Sequence, residues 1–97
     1  MAAYLIAFVD VTDPQRYARY TAVTPGIIKK FGGRFLVRGG EVRTAEGPPE
    51  TRRLVVIEFD SMQRVQSFYD SPEYQQARLL RVDAAIGTLL LAAGVEK

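Results

Sequence analysis

The chain has 97 residues, 47% of them hydrophobic and 25% charged, with a formal net charge of +2; this is the size of one domain, residues 1–97, able to bury roughly two thirds of the surface its unfolded form exposes. Cysteine and histidine are both absent, which removes disulfides, thiolate nucleophiles, zinc-thiolate sites and the usual general base near neutral pH, leaving proton transfer to Asp, Glu, Tyr or Lys. The 13 basic residues, ten of them arginine, interleave with 11 acidic ones, so no nucleic-acid partner is expected, and no apolar run reaches the ~18 residues of a membrane span.

A strand begins within about three residues of Met1, leaving no room for a secretion signal, so a cytoplasmic location is expected. Tyr4 to Val11 is β-rich and apolar at nearly every position, the pattern of a central strand covered on both faces. Thr12-Asp13-Pro14 then starts a helix, with a capping carboxylate followed by proline at the first helical position. Tyr17, Tyr20, Ile27, Ile28 and Phe31 recur at three- and four-residue steps along one face. Pro25 lies deep in this helix and removes the bond to the carbonyl of Thr21, which predicts a kink or break over 21–25.

Gly32-Gly33 closes the helix in a left-handed cap, with Lys29 and Lys30 at the negative end of its dipole. A short edge strand, Arg34 to Arg38, follows, and Gly39-Gly40 is expected to bend or bulge it before an extended continuation over Glu41 to Thr44. The cluster from Glu46 to Glu50 is the hairpin tip. Leu54 to Phe59 reads as a second central strand, interrupted only by Glu58. Asp60 or Ser61 caps a helix through about Asp70, and Ser71-Pro72 restarts a further helix through about Arg81. Gly87 and Gly94 favour an extended segment over Ile86 to Ala93. The order β-α-β-β-α-β defines an α+β domain: a four-stranded antiparallel sheet with helices on one face.

Helices on one face should leave the other polar at alternate positions, yet both parities are apolar in the two central strands. Tyr4, Ile6, Phe8 oppose Leu5, Ala7, Val9, and Leu54, Val56 oppose Val55, Ile57, Phe59. So large an apolar face predicts a homodimer joined sheet to sheet.

The segments Asp13-Pro14, Tyr20, Phe-Gly-Gly-Arg-Phe-Leu-Val-Arg-Gly-Gly over 31–40, Val-Val-Ile-Glu-Phe over 55–59 and Phe-Tyr-Asp-Ser-Pro-Glu-Tyr over 68–74 resemble the domain of unknown function 1330 family, over nearly the whole chain. The resemblance implies a ferredoxin-like fold of the dimeric α/β-barrel superfamily, whose members include cofactor-independent monooxygenases, lactone isomerases and haem enzymes. It lends interest, without roles, to Tyr20, the stretch Gly32 to Gly40, Phe59, Ser71, Tyr74 and Arg81. Pro48-Pro49 departs from the family's pattern in the loop. The lack of histidine separates this chain from the haem enzymes, so no cofactor is expected.

Several residues are candidates for chemistry. Arg34 and Arg38, four apart on one strand, would share a face and could clamp a carboxylate or enolate; the competing reading is edge charge that discourages unwanted pairing. Asp10 and Glu58, the acids inside the central strands, could serve as catalytic base if burial raised their pKa, or simply pair with Arg38 or Arg53. Tyr20 and Tyr74 could orient an oxygenated substrate, whereas Tyr17 and Tyr69 fit core packing with a hydroxyl at the rim. The acids are scattered, so no metal is expected. The expected function is that of a small-molecule-binding domain, as a cofactor-independent enzyme of isomerase or monooxygenase type acting on an oxygenated hydrophobic or aromatic compound; the alternative is a non-catalytic dimeric assembly or ligand-sensing module. In the enzymatic reading Arg38 and Arg34 bind an anion, Tyr20 and Tyr74 orient it, and Asp10 or Glu58 moves a proton.

Overall fold

A computed structural model describes residues 1–96. Each apolar run became a strand and each capped, periodic run a helix: β1 (Ala3–Val11), α1 (Pro14–Lys30), β2 (Arg34–Arg38), β3 (Arg53–Phe59), α2 (Met62–Asp70), α3 (Pro72–Arg78) and β4 (Ala85–Ala93). The strands form one antiparallel sheet in the order β2-β3-β1-β4, which makes β1 and β3 the central pair. Among the described residues no helix is long and apolar enough to cross a membrane.

The helix starts are capped by side chains that accept otherwise unpaired amides: Asp13 from Arg16, Ser61 from Arg64 and Ser71 from Tyr74. Ser71 serves two helices, because its hydroxyl also donates to the carbonyl of Phe68 at the end of α2. At the far end of α1 the Gly33 amide bonds to the Ile28 carbonyl and the Gly32 amide to that of Lys29. This is a Schellman closure, with Gly32 at φ 79° supplying the left-handed residue. The expected break in α1 does not occur, and the helix runs unbroken through Pro25. The extended continuation over Glu41 to Thr44 is also absent, because Gly39, at φ 72°, turns the chain off the sheet once its amide has bonded to the Leu54 carbonyl.

Strand alternation decides which side chains meet the helices. Ala3, Leu5, Ala7 and Val9 of β1 are buried, as are Val55, Ile57 and Phe59 of β3. They pack with Ile28, Val65, Phe68 and Tyr74 in one core. Phe59, Phe68 and Tyr74 are at most 1% exposed and stack in sequence, with ring centroids 5.3 and 4.8 Å apart. Full burial of a side chain this large contributes about 1.5–3 kcal/mol. The opposite face carries Tyr4, Ile6, Phe8, Leu54 and Val56, all half-buried, and Ile86 and Leu90, which are exposed. No described element covers it.

Candidate functional site

The helix-facing side of the sheet does not close completely. Between it, α1 and α3 lies a cavity of about 50 Å³, with an aliphatic floor that includes Ala7, Val9, Val55 and Leu89 and a roof of Tyr17, Tyr20 and Tyr74. Three arginines line it, Arg38 at the end of β2, Arg53 at the start of β3 and Arg81 beyond α3, and no acidic side chain does.

Arg38 reaches this cavity through an irregularity in β2. Arg34 pairs with Glu58 and Phe35 with Ile57, but the register then shifts, so that Val37 meets Val56 and Arg38 meets Val55. Leu36 is the extra residue of a bulge, and such a residue reverses the facing of everything after it. The expectation that Arg34 and Arg38 share a face is therefore corrected. Arg38 joins the helix-facing set, its guanidinium 4.4 Å from the Phe35 ring centroid, while Arg34 stays on the open face and forms an ion pair with Glu58.

The two strand acids are not brought to the cavity. Glu58 sits on the open face, where its carboxylate pairs with Arg34 and accepts the Tyr4 hydroxyl at 3.3 Å. Asp10 is exposed at the end of β1, opposite Ile86. Neither pairs with Arg38 or Arg53. Asp10 and Glu58 thus lie on the side of the sheet away from Tyr20 and Tyr74, because both project from even positions of strands whose odd positions meet the helices. Among the described residues no three acids converge to hold a metal.

Tyr20 and Tyr74 do meet. Their hydroxyls lie 2.9 Å apart, and an Arg81 guanidinium nitrogen donates to the Tyr74 oxygen at 3.3 Å. The Arg81 guanidinium also lies 5.6 Å from the Tyr20 ring centroid. Burial pushes the Tyr20 phenol well above the usual tyrosine range, the neighbouring Tyr74 adds to the rise, and Arg81 opposes it without cancelling it. The Tyr20 phenol therefore stays protonated and neutral at any physiological pH. Burial raises Tyr17 as well, opposed mainly by Arg53, whose guanidinium lies 5.8 Å from its ring centroid.

Arg53 and Arg81 have a further property in common. The Nε atom of each is buried without a hydrogen-bond partner, and among the described residues neither these two nor Arg38 forms an ion pair. Sequence reasoning passed over Arg53, considering it only as a partner for acids. The usable signal was parity, since Arg53 is in phase with Val55, Ile57 and Phe59. Arg81 lies in the turn three residues past the end of α3, and only the family resemblance points to it. Gly39 completes the arrangement. A Cβ there would overlap an Arg53 Nη atom, so the loop backbone passes directly against that guanidinium.

This is a ferredoxin-like α+β domain with an arginine- and tyrosine-lined cavity between helices and sheet. The chain belongs to the family described as Domain of unknown function (DUF1330), which matches residues 2–95. No curated protein matches it. Among solved structures, a protein of unknown function from Rhodopseudomonas palustris is similar at 17% identity and a TM-score of 0.77, over 99% of this chain and 84% of that one. SnoaB, a cofactor-independent oxygenase from Streptomyces nogalater, is similar at 9% identity and a TM-score of 0.67, over 99% and 95%. A dimeric ferredoxin-like protein of unknown function from Thermobifida fusca is similar at 16% identity and a TM-score of 0.59, over 97% and 92%. Likeness at these identities establishes the fold, not the chemistry.

Proposed function

We propose that this chain is a small-molecule-binding domain that works as a sheet-to-sheet homodimer and turns over an oxygenated, largely apolar compound in the cavity under α1 without a cofactor. The observation that carries the reading is a cavity walled by aliphatic side chains into which guanidinium groups and two hydrogen-bonded phenols project without an acid to neutralise them. Such a combination, apolar walls with a few convergent polar groups, is the usual form of a ligand site. Arg38 at the rim attracts the ligand's negative end, and the Tyr20–Tyr74 pair directs its remaining O–H at the ligand's oxygen. SnoaB supports the enzymatic half, being a cofactor-independent oxygenase of the same fold.

The dimer rests on the open face. Ile86 is 71% exposed and Leu90 49%, and they continue the apolar surface of Tyr4, Ile6 and Phe8 across the β1–β4 pairing. A contiguous apolar patch of this kind marks an interaction surface, and the Thermobifida fusca protein of the same fold is dimeric. A purely structural module for assembly would have no need of the cavity, and this favours the binding reading. Native mass spectrometry of the purified protein tests both parts: we expect the mass of two chains, with a small retained species that Arg38→Ala releases. A one-chain mass at micromolar concentration would remove the dimer, and retention unaltered by Arg38→Ala would remove the site.

A further inference from the structure

From the orphaned Nε atoms of Arg53 and Arg81 we infer that the cavity's ligand is a short-chain carboxylate monoanion, gripped by these two arginines rather than by the rim residue Arg38 alone. The inference rests on the binding reading above and specifies its ligand. A buried guanidinium N–H with no acceptor is costly, more so than a neutral group, because it has given up water for nothing. Here both arginines line one cavity, and among the described residues no carboxylate pairs with either. A guanidinium presents Nε–H and Nη–H along one edge, which a carboxylate matches with two parallel bonds. Arg81 has one nitrogen engaged with Tyr74 and keeps its Nε free. Arg53 is held in place by the bare backbone of Gly39 on one side and by the Tyr17 ring on the other.

Size and wall chemistry narrow the ligand further. An apolar cavity of about 150 Å³ accommodates benzene, and this one, at about 50 Å³, is a third of that. A volume this small suits a ligand of few heavy atoms, and a short carbon chain would lie on Ala7, Val55 and Leu89. The aliphatic floor offers nothing to the outer oxygens of a phosphate, whereas a carboxylate has one polar end and one apolar end, as the cavity has. Of Tyr20 and Tyr74, the phenol whose proton is not spent on the other then donates to the same oxygens or to a second oxygen beside them.

The test needs no unknown ligand. Butyrate, butyramide and inorganic phosphate are titrated separately at pH 7 into the intact protein labelled with ¹⁵N at arginine side chains and ¹³C at Val and Leu methyls. The Nε–H resonances of Arg53 and Arg81 report the grip, and the methyls of Val55 and Leu89 report occupancy. The expected result is saturable movement of all four by butyrate only, with Arg53→Lys and Arg81→Lys each weakening it at least tenfold while spectral dispersion is retained. Methyl shifts caused equally by butyramide, with the Nε–H signals still, would overturn the inference and leave the cavity as a binding site. Binding of phosphate but not butyrate would overturn the carboxylate assignment. If none of the three probes moves the methyls or the Nε–H signals, the carboxylate assignment falls; a species retained in native mass spectrometry and released by Arg38→Ala would then leave the cavity reading standing, and its absence would remove that as well.

Discussion

Replacing Tyr74 with Phe should damage this protein considerably more than replacing Tyr20 with Phe, although each change removes one oxygen. Tyr74 is 1% exposed, and its hydroxyl is the shared centre of two contacts, 2.9 Å to the Tyr20 hydroxyl and 3.3 Å to an Arg81 nitrogen. Tyr20→Phe removes one neutral hydrogen bond and leaves Tyr74 engaged with Arg81, a loss of about 1 kcal/mol. Tyr74→Phe strands both the Tyr20 hydroxyl and a charged Arg81 donor, and buried groups left unsatisfied in this way cost about 2–3 kcal/mol together. The double variant should cost no more than Tyr74→Phe alone, because the bond between the phenols is already lost, which gives a coupling energy of about 1 kcal/mol. Urea unfolding followed by circular dichroism and tyrosine fluorescence, the chain having no tryptophan, measures all three at one fixed protomer concentration. For a domain of this size about 1 kcal/mol moves the midpoint of thermal unfolding by roughly 4–8 °C, so the two single variants are easily separated. Equal costs for the two, or strict additivity in the double, would refute the arrangement.

Other consequences can be checked as directly. Tyr17 and Tyr20 have raised pKa values in the folded chain through burial and ionise near the ordinary value of about 10 once unfolded; stability should be complete below pH ~10 and fall as pH rises beyond it, because the folded state then holds more protons. Ultraviolet titration should show these two phenols ionising only as the circular dichroism is lost, and five phenols titrating together in a folded protein would contradict this. Gly39→Ala should cost about 1–2 kcal/mol through its positive φ and displace the Arg53 Nε–H resonance, while Gly40→Ala, with open space around its Cβ position, should change stability by less than about 0.5 kcal/mol. Val56→Asp, on the open face, should convert two chains to one in sedimentation with the cavity's methyl signals unmoved; a persistent dimer would show that another surface joins the chains.

Most of the architecture was legible because its signals are local. Capping residues announce the helix starts at Asp13, Ser61 and Ser71, and runs of β-branched and apolar residues mark β1 and β3. The site was only half legible, for reasons of phase. Phe35-Leu36-Val37 is apolar at every position, so alternation could not reveal which residue is supernumerary, and simple counting put Arg34 and Arg38 together when a bulge separates them. Central strands apolar on both sides likewise hid which parity faces the helices, and with it the fact that Glu58 points away and Arg53 points in. Pro25 misled in a different way. Proline costs a helix one bond and some steric strain, but α1 buries Tyr17, Thr24 and Ile28 on both sides of it, and packing of that face outweighs the local penalty.

The five residues of β2 send one positive charge to each side of the sheet. Arg34 answers Glu58 on the side without helices, and Arg38 faces the helices. A slip of the strand by a single position would reverse both at once, placing one guanidinium against aliphatic side chains and depriving Glu58 of its counter-ion. A ribbon this short, at the margin of the sheet, would otherwise be free to choose among several pairings. The surplus Leu36 together with two oppositely directed charges leaves it with only one.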